Sequence, residues 1–385
     1  MRFLPLVLKN VFRKKTRSIL TIGSILLPLF VICIMGTLLA TLDSDPSGGK
    51  GMFRLTVRHS ISITNWLPEA YLPKLRQMPG VKEVTIMNWF GGKYVDSSAK
   101  NFFARFAIDP ESFLRVFDEA TIVEGSAADW MGDRSGLLVG KVLMTKYGWR
   151  LGQQITLMGD IYPGNYTFTI RAVFKGADES GVYFDRRVLE EALPRVKGYV
   201  GMYWIKTDSV AAVERLPKQI DAMFENSPFP TKTETEKEFQ NSWVSMLGNV
   251  KLLITSIATI IVLVILLIAA NTMAMSARER VTEIAVLRTL GFGKPTILGL
   301  VLGESVLLSL FGGLLGLGLF VLSFPGFRAW MLNSPMGGFA TGMRIFPGIL
   351  ALGFFITVLV GLLSGLVPAI RSAGRSIPDG LRQVG

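Results

Sequence analysis

Cysteine and histidine are nearly missing from this chain of 385 residues, which has one of each. The lone thiol, Cys33, excludes an intrachain disulfide, so any folded domain must be held by its core. The lone imidazole, His59, has no second histidine and no cysteine outside an apolar run to join it, which excludes a transition-metal set. On a strand-like stretch it reads as an ordinary polar side chain. Catalytic signatures are missing as well: there is no G-x-S-x-G, no H-E-x-x-H and no histidine free for a triad. Gly136-Leu-Leu-Val-Gly140-Lys141 falls short of a phosphate loop, with one residue too few between its glycines and no Ser or Thr after the lysine to hold magnesium. No catalytic residue, bound cofactor or metal is expected on this chain.

Acidic side chains are scarce beside basic ones, 29 against 41, for a net charge of +12. Such an excess raises a nucleic-acid partner. The densest basic run, FRKKTR, however, lies at the entry to an apolar segment, where basic residues set topology or hold anionic lipid. Membrane lipid is the expected partner and nucleic acid is not.

Charge of either sign is absent from long runs. Half of the residues are hydrophobic, and the mean hydropathy is +0.42, too apolar for an ordinary soluble domain. A bilayer core about 30 Å thick takes roughly 20 apolar helical residues. Runs of that length cover Ile19 to Leu42, Leu252 to Ala277, Pro295 to Phe327 and Ile345 to Ile370, and the only carboxylate among them is Glu304. Backbone polar groups have no water to bond inside a bilayer, so each run is expected to be helical. The first is too long for a signal-peptide core and has no small-residue cleavage site before Asp43.

Basic residues in the short flanks set orientation. Arg2, Lys9, Arg13, Lys14, Lys15 and Arg17 precede the first span, Arg278, Arg280, Arg288 and Lys294 separate the second from the third, and Arg371, Arg375 and Arg382 follow the fourth. Only Arg328 and Arg344 lie between the third and fourth spans. The rule places both termini in the cytoplasm. The expected organisation is a cytoplasmic amphipathic segment at 1–18, spans at 19–42, 246–277, 295–327 and 345–370, an extracytoplasmic domain at 43–245, a cytoplasmic helix at 278–294, a short outer loop at 328–344 and a cytoplasmic tail at 371–385.

The long insert opens on the turn-rich DSDPSGGKG and then mixes patterns. Phe53 to Ile63 and Thr167 to Phe174 alternate as half-buried strands do, while Pro68 to Gln77, Pro110 to Glu119, Arg186 to Leu193 and Val210 to Phe224 have helical spacing. The fold class expected is a four-span membrane protein with a large α+β domain inserted between spans one and two.

Within the spans, Glu304 lies ten residues after Lys294. A carboxylate there serves either as a proton or cation relay, or structurally, by meeting the interface or a donor on a neighbouring helix. Gly312-x-x-x-Gly316 and Gly361-x-x-x-Gly365 each clear a helix face for a close neighbour, either within the chain or in a dimer.

The stretch SARERVTEIAVLRTLGFGKP, Ser276 to Pro295, has no Gly or Pro before Gly291, so a helix of about four turns is expected to continue out of span two. At 100° per residue Glu279, Glu283, Val286 and Leu290 share a face, with Arg278, Val281, Ala285 and Arg288 opposite. A carboxylate pair beside apolar residues on an exposed helix makes either a docking surface or a solvated connector.

These residues resemble the coupling segment of the MacB/FtsX/LolC-type ABC transporter permeases, whose pattern is close to S-x-R-E-R-x-x-E-I-x-x-L-R-A-L-G. Ser276, Arg278, Glu279, Arg280, Glu283, Ile284, Leu287, Arg288, Leu290 and Gly291 match it, with Thr289 in place of the usual alanine. KNVFRKKTRSILTIGSI at the first span is similar to the family's amphipathic entry. Glu304 with LLSLFGGLLGLGL resembles its third span, and PAIRSAGRSIPDGLRQ its tail, with Gly380 for alanine. In the insert, MPGVKEV and LVGKVLMTKYGWRLGQQITL look like the family's periplasmic core domain, while Asn88 to Asp133 matches nothing.

The resemblance implies a non-catalytic permease subunit in a bacterial inner membrane. ATP and magnesium would bind a separate cytoplasmic ABC ATPase, since no nucleotide-binding domain is encoded, and its motion would pass through Glu279 to Arg288 to the periplasmic domain. It implies a second copy or a paralogue as dimer partner, room for a periplasmic adaptor or outer-membrane component, and export or extraction of an amphiphile, lipoprotein, peptide or drug. An FtsX-like regulator of a periplasmic partner and an extracytoplasmic-ligand sensor or scaffold are the rivals. A secondary transporter would show repeated halves and mid-membrane substrate residues, which are not found.

Overall fold

The computed structural model describes residues 15–44, 49–176, 179–246, 249–332, 334, 340 and 342–374. Arg2, Lys9, Arg13 and Lys14 of the basic entry, and Arg375, Gly380 and Arg382 of the tail, lie outside them. The elements are helix α1 (Lys15–Asp43), strands β1 (Arg54–His59) and β2 (Leu67–Pro68), helix α2 (Leu72–Arg76), strands β3 (Val81–Trp89) and β4 (Ala104–Ile108), helix α3 (Pro110–Val116) and strand β5 (Thr121–Gly125). Helix α4 (Ala127–Gly132), strand β6 (Gly136–Gly140), helix α5 (Lys141–Tyr147), strands β7 (Gln154–Gly159), β8 (Gly164–Lys175) and β9 (Gly181–Asp185), and helix α6 (Arg187–Ala192) come next. Strands β10 (Tyr199–Val200) and β11 (Met202–Thr207), helix α7 (Val210–Phe224), strand β12 (Thr231–Thr235) and helix α8 (Glu236–Met246) complete the α/β domain. Helices α9 (Val250–Glu279), α10 (Val281–Thr289), α11 (Lys294–Leu332) and α12 (Pro347–Gly374) follow.

Two compact units result, one of the apolar helices and one of residues 41–248 with 328–343. In the first, α1, α9, α11 and α12 are each long and apolar enough to cross a membrane. Ile25 and Ile32 of α1, Ile265 and Ala269 of α9 and Val360 of α12 form one buried cluster, and Met273 of α9 meets Leu308 of α11 in another. The helices outrun the charge-free stretches: α11 reaches Leu332, past the expected boundary at Phe327, and α12 reaches Gly374. Charge marks where water begins, whereas a helix stops only where its hydrogen bonds or propensities fail, and Arg328 to Leu332 contain no breaker.

In the second unit the ladder runs β12-β1-β11-β3-β4-β9-β6-β8-β5, with β7 on β8 and a small β10-β2 pair apart. The pairings β4–β9 and β6–β8 are parallel and the rest antiparallel. Leu55, Val57, Val84, Ile86, Tyr203 and Ile205 form one core with Leu216, Ile220 and Phe224 of α7. That helix begins where Ser209 Oγ accepts the Ala212 N–H. A second core gathers Phe90, Val139, Leu157, Phe168 and Phe184 beneath α5 and α6.

Two expectations are corrected here. The half-buried strand at Phe53 to Ile63 is β1, which is buried at every residue, because the polar face bearing Arg54, Thr56 and Arg58 is covered as well as the apolar one. Of the helical window at Pro68 to Gln77, Pro68 pairs instead with Tyr199, and the helical part opens as a 3-10 turn at Glu69–Tyr71 before the α-helix from Leu72. The phosphate-loop fragment is strand β6 leading into α5, and a methyl group on Gly140 would overlap the Glu179 carbonyl. His59 is buried, and its Nδ1 accepts the Ile61 N–H at 3.2 Å.

Candidate functional site

The segment Ser276 to Pro295 forms a break, a short helix and a tight reversal rather than the continuous four-turn helix expected. Helix α9 ends at Glu279, and Arg280, at φ −111° and ψ 17°, stands between it and α10. Residues 276–290 contain no Gly or Pro, and the break coincides with a tertiary contact, the Arg280 guanidinium reaching Glu304 as well as the nearby Glu283. Its Nε donates to Glu283 Oε2 at 3.1 Å and its Nη1 to Glu304 Oε2 at 2.5 Å. Ser276 Oγ adds a longer bond of 3.5 Å to Glu304 Oε1.

The end of α10 follows from sequence. Gly291 takes φ +91°, its N–H donates to Arg288 O at 3.1 Å, and the Phe292 N–H donates to Leu287 O at 3.2 Å. Those two bonds close a helix on a left-handed residue, a conformation open to glycine at no steric penalty. Helix α11 then starts at Lys294 with Pro295 in its first turn, where a missing N–H does no harm.

The break sorts the predicted coupling residues. Glu279 and Glu283 no longer share one helix: Arg278 and Glu279 are exposed at the end of α9, while Glu283 turns toward Arg280. Val286 and Leu290 face outward at 46% and 71% exposure, and Val281 and Ala285 are buried. Ile284 and Leu287 join Arg280, Glu283, Met273 and Glu304 around a cavity of about 50 Å³, enough for a few waters. Arg288 is half-buried.

Glu304 itself is 3% exposed, in the third turn of α11. A donor on a neighbouring element, Arg280, meets it, as the structural alternative requires. Sequence reasoning missed the partner, although one signal was there: Arg280 and Glu304 are equidistant from Phe292, as opposite positions of an antiparallel helical hairpin must be.

The four glycines meet other helices of the same chain. A methyl group on Gly312 would lie 2.9 Å from Ile22 O, and one on Gly316 2.8 Å from Leu26 O, so this face of α11 receives the backbone of α1. On Gly361 it would lie 2.9 Å from Val306 Cα and on Gly365 2.7 Å from Ser305 Cβ, so α12 packs against α11. A buried hydrogen bond of 2.9 Å between Ser305 Oγ and Ser364 Oγ holds the same contact.

Residues 255–377 match the family model of the FtsX-like permease C-terminal domain. The chain is 24% identical over 393 residues to the uncharacterized ABC transporter permease MJ1507 of Methanocaldococcus jannaschii, covering 96% of this chain and 94% of that one. It is 31% identical over 139 residues to the macrolide export ATP-binding/permease protein MacB of Neisseria meningitidis, which is 36% of this chain and only 20% of that protein. Among solved structures, the periplasmic region of MacB from Actinobacillus actinomycetemcomitans aligns with 52% of this chain and 95% of its own at a TM-score of 0.36 and 11% identity. Residues 255–377 are thus similar to FtsX-like permease C-terminal domains, and nearly the whole chain is similar to an ABC transporter permease.

Proposed function

We propose that this permease passes the ATP-driven motion of a partner ABC ATPase from the Ser276 to Pro295 segment to its α/β domain, for export or extraction of an amphiphilic, lipoprotein, peptide or drug substrate. The single observation that carries the reading is the Arg280–Glu304 ion pair at the break between α9 and α10. A short helix hinged at both ends, by the break at Arg280 and by Gly291, offers Val286 and Leu290 outward. The same hinge is tied to α11 inside the apolar unit, so a push on α10 has a charged, directional path into the spans. The excess of basic residues beside this segment supports a cytoplasmic position for it and for both termini, with the α/β domain on the far side of a bacterial inner membrane. Two permeases, identical or paralogous, would flank the path, and a periplasmic adaptor or outer-membrane component would complete it.

Co-purification from native membranes with identification by mass spectrometry tests the reading. An ABC ATPase in stoichiometric amount is the expected finding, with no ATP turnover by the purified chain alone. Turnover by the isolated chain, or a native complex free of any ATPase, would overturn it.

A further inference from the structure

The α/β domain continues into the apolar helices at two places. Strand β1 begins at Arg54, after α1 ends at Asp43, and helix α8 ends at Met246, shortly before Asn249 caps α9. One guanidinium joins them. Arg54, the first residue of β1, donates from Nε to Glu236 Oε2 at 2.6 Å, and Glu236 is the first residue of α8, 182 positions away.

We propose that Arg54 is a positioning residue that locks α8, β1 and the stretch following α3 into one body. Its Nη1 donates to Glu119 Oε2 at 2.7 Å, with Nη2 2.7 Å from the same loop carboxylate's Oε1 as an ion pair, and the guanidinium lies 4.7 Å over the Phe117 ring. Phe117 in turn sits 5.3 Å from Trp204, which packs edge to face with Phe239 of α8 at 5.6 Å. Lys206, opposite Arg54 in the β1–β11 register, reaches Asp118 at 2.9 Å. Residues 116–119 are therefore gripped from two adjacent strands.

Arginine is the side chain this arrangement needs. Its planar fork serves two carboxylates in fixed directions at once, which a lysine ammonium cannot do. Arg54 is 1% exposed, and a charge buried that deeply must keep its partners. Helix α8 therefore cannot slide off the sheet without parting Glu236 from Arg54. Resting on the function proposed above, the consequence is that a displacement of α8 carries β1 and residues 116–119 with it.

The test is a distance measurement on the full chain in lipid nanodiscs, with no ATPase present. Nitroxide labels go on Lys237→Cys in α8 and Glu111→Cys in α3, both exposed, in a background where the buried Cys33 is replaced by serine. Pulsed electron resonance should give one narrow distance in the parent. Arg54→Gln should widen that distribution at least about twofold, with Arg54→Lys between the two, while circular dichroism shows the domain folded at the measuring temperature. A residue that only stabilised the fold would lower the melting midpoint and leave the distance narrow below it, and that result overturns the proposal. Should Arg54→Gln fail to fold, Glu236→Gln, which keeps Arg54 and its Glu119 pair, must produce the same widening, and a narrow distance there overturns the proposal equally. Failure to find a partner ATPase would sink the coupling function and leave these distances untouched.

Discussion

Arg280 donates from Nη1 to Glu304 Oε2 at 2.5 Å across 24 residues of chain, joining the break after α9 to the third turn of α11. A carboxylate in an apolar helix is thereby answered by an arginine that the same chain carries out of the preceding span. The pair explains why Glu304 is tolerated, and it coincides with the end of α9 at Glu279.

Glu304→Gln should lower the stability of the purified chain by about 1–3 kcal/mol, less than for a fully buried pair because Arg280 keeps Glu283. The exchange Arg280→Glu with Glu304→Arg should recover at least half of the loss seen in either single charge reversal. Thermal melting in nanodiscs reads both, and an unchanged midpoint in Glu304→Gln would remove the pair from the account.

Glu283→Lys is expected to reduce coupling to the co-purified ATPase by about tenfold or more, ~1.4 kcal/mol. The Glu283 side chain is 43% exposed, so the stability of the apolar unit should change by less than about 1 kcal/mol. Comparing stimulated ATP turnover with the melting midpoint separates the two effects, and a loss of both in parallel would make Glu283 a stability residue only.

Gly365→Val would force a side chain against Ser305, where a methyl group alone already comes within 2.7 Å of its Cβ. Separation of α11 and α12 should cost about 1–3 kcal/mol. Gly316→Val should behave alike against α1. Loss of dimer on light scattering, with the monomer as stable as before, would instead assign these glycines to an interface between chains.

Val95 takes φ +64° in an exposed turn, a left-handed conformation that a β-branched side chain resists. Val95→Gly should therefore be neutral or stabilising by up to about 1 kcal/mol, despite the greater freedom of glycine in the unfolded chain. Destabilisation beyond that range would mean the Val95 side chain makes a contact worth more than its strain.

Acid should loosen the β1–β12 edge. Burial alone would raise the Glu234 pKa, but hydrogen bonds from Lys232 and Arg58 outweigh it and hold the group below its ordinary value of 4.5. A depressed carboxylate contributes stability that is complete above pH 4.5 and lost as pH falls through the lower, folded value. Hydrogen exchange of peptides covering β1 and β12 should accelerate in that window in the parent, and Glu234→Gln should flatten the dependence.

Sequence and structure divide this protein along a physical line. The four apolar helices, the α7 helix and the reversal at Gly291 were legible because each depends on neighbours a few residues away: hydropathy, helical spacing, a left-handed glycine. What needs a distant partner was not legible. Residues 276–290 contain no Gly or Pro, yet the helix breaks at Arg280, where the guanidinium meets Glu304, 24 residues on and in another helix. Gly312 and Gly361 promised close contacts without saying with what, and only the packing of α1 and α12 on α11 answered. Phe53 to Ile63 read as half-buried because alternation reports which side of a strand a residue faces and not what covers that side, and Arg54 is covered. Local free energies are written in order along the chain, whereas the ion pairs that tie its segments together depend on the register between elements far apart in sequence, which tertiary structure alone decides.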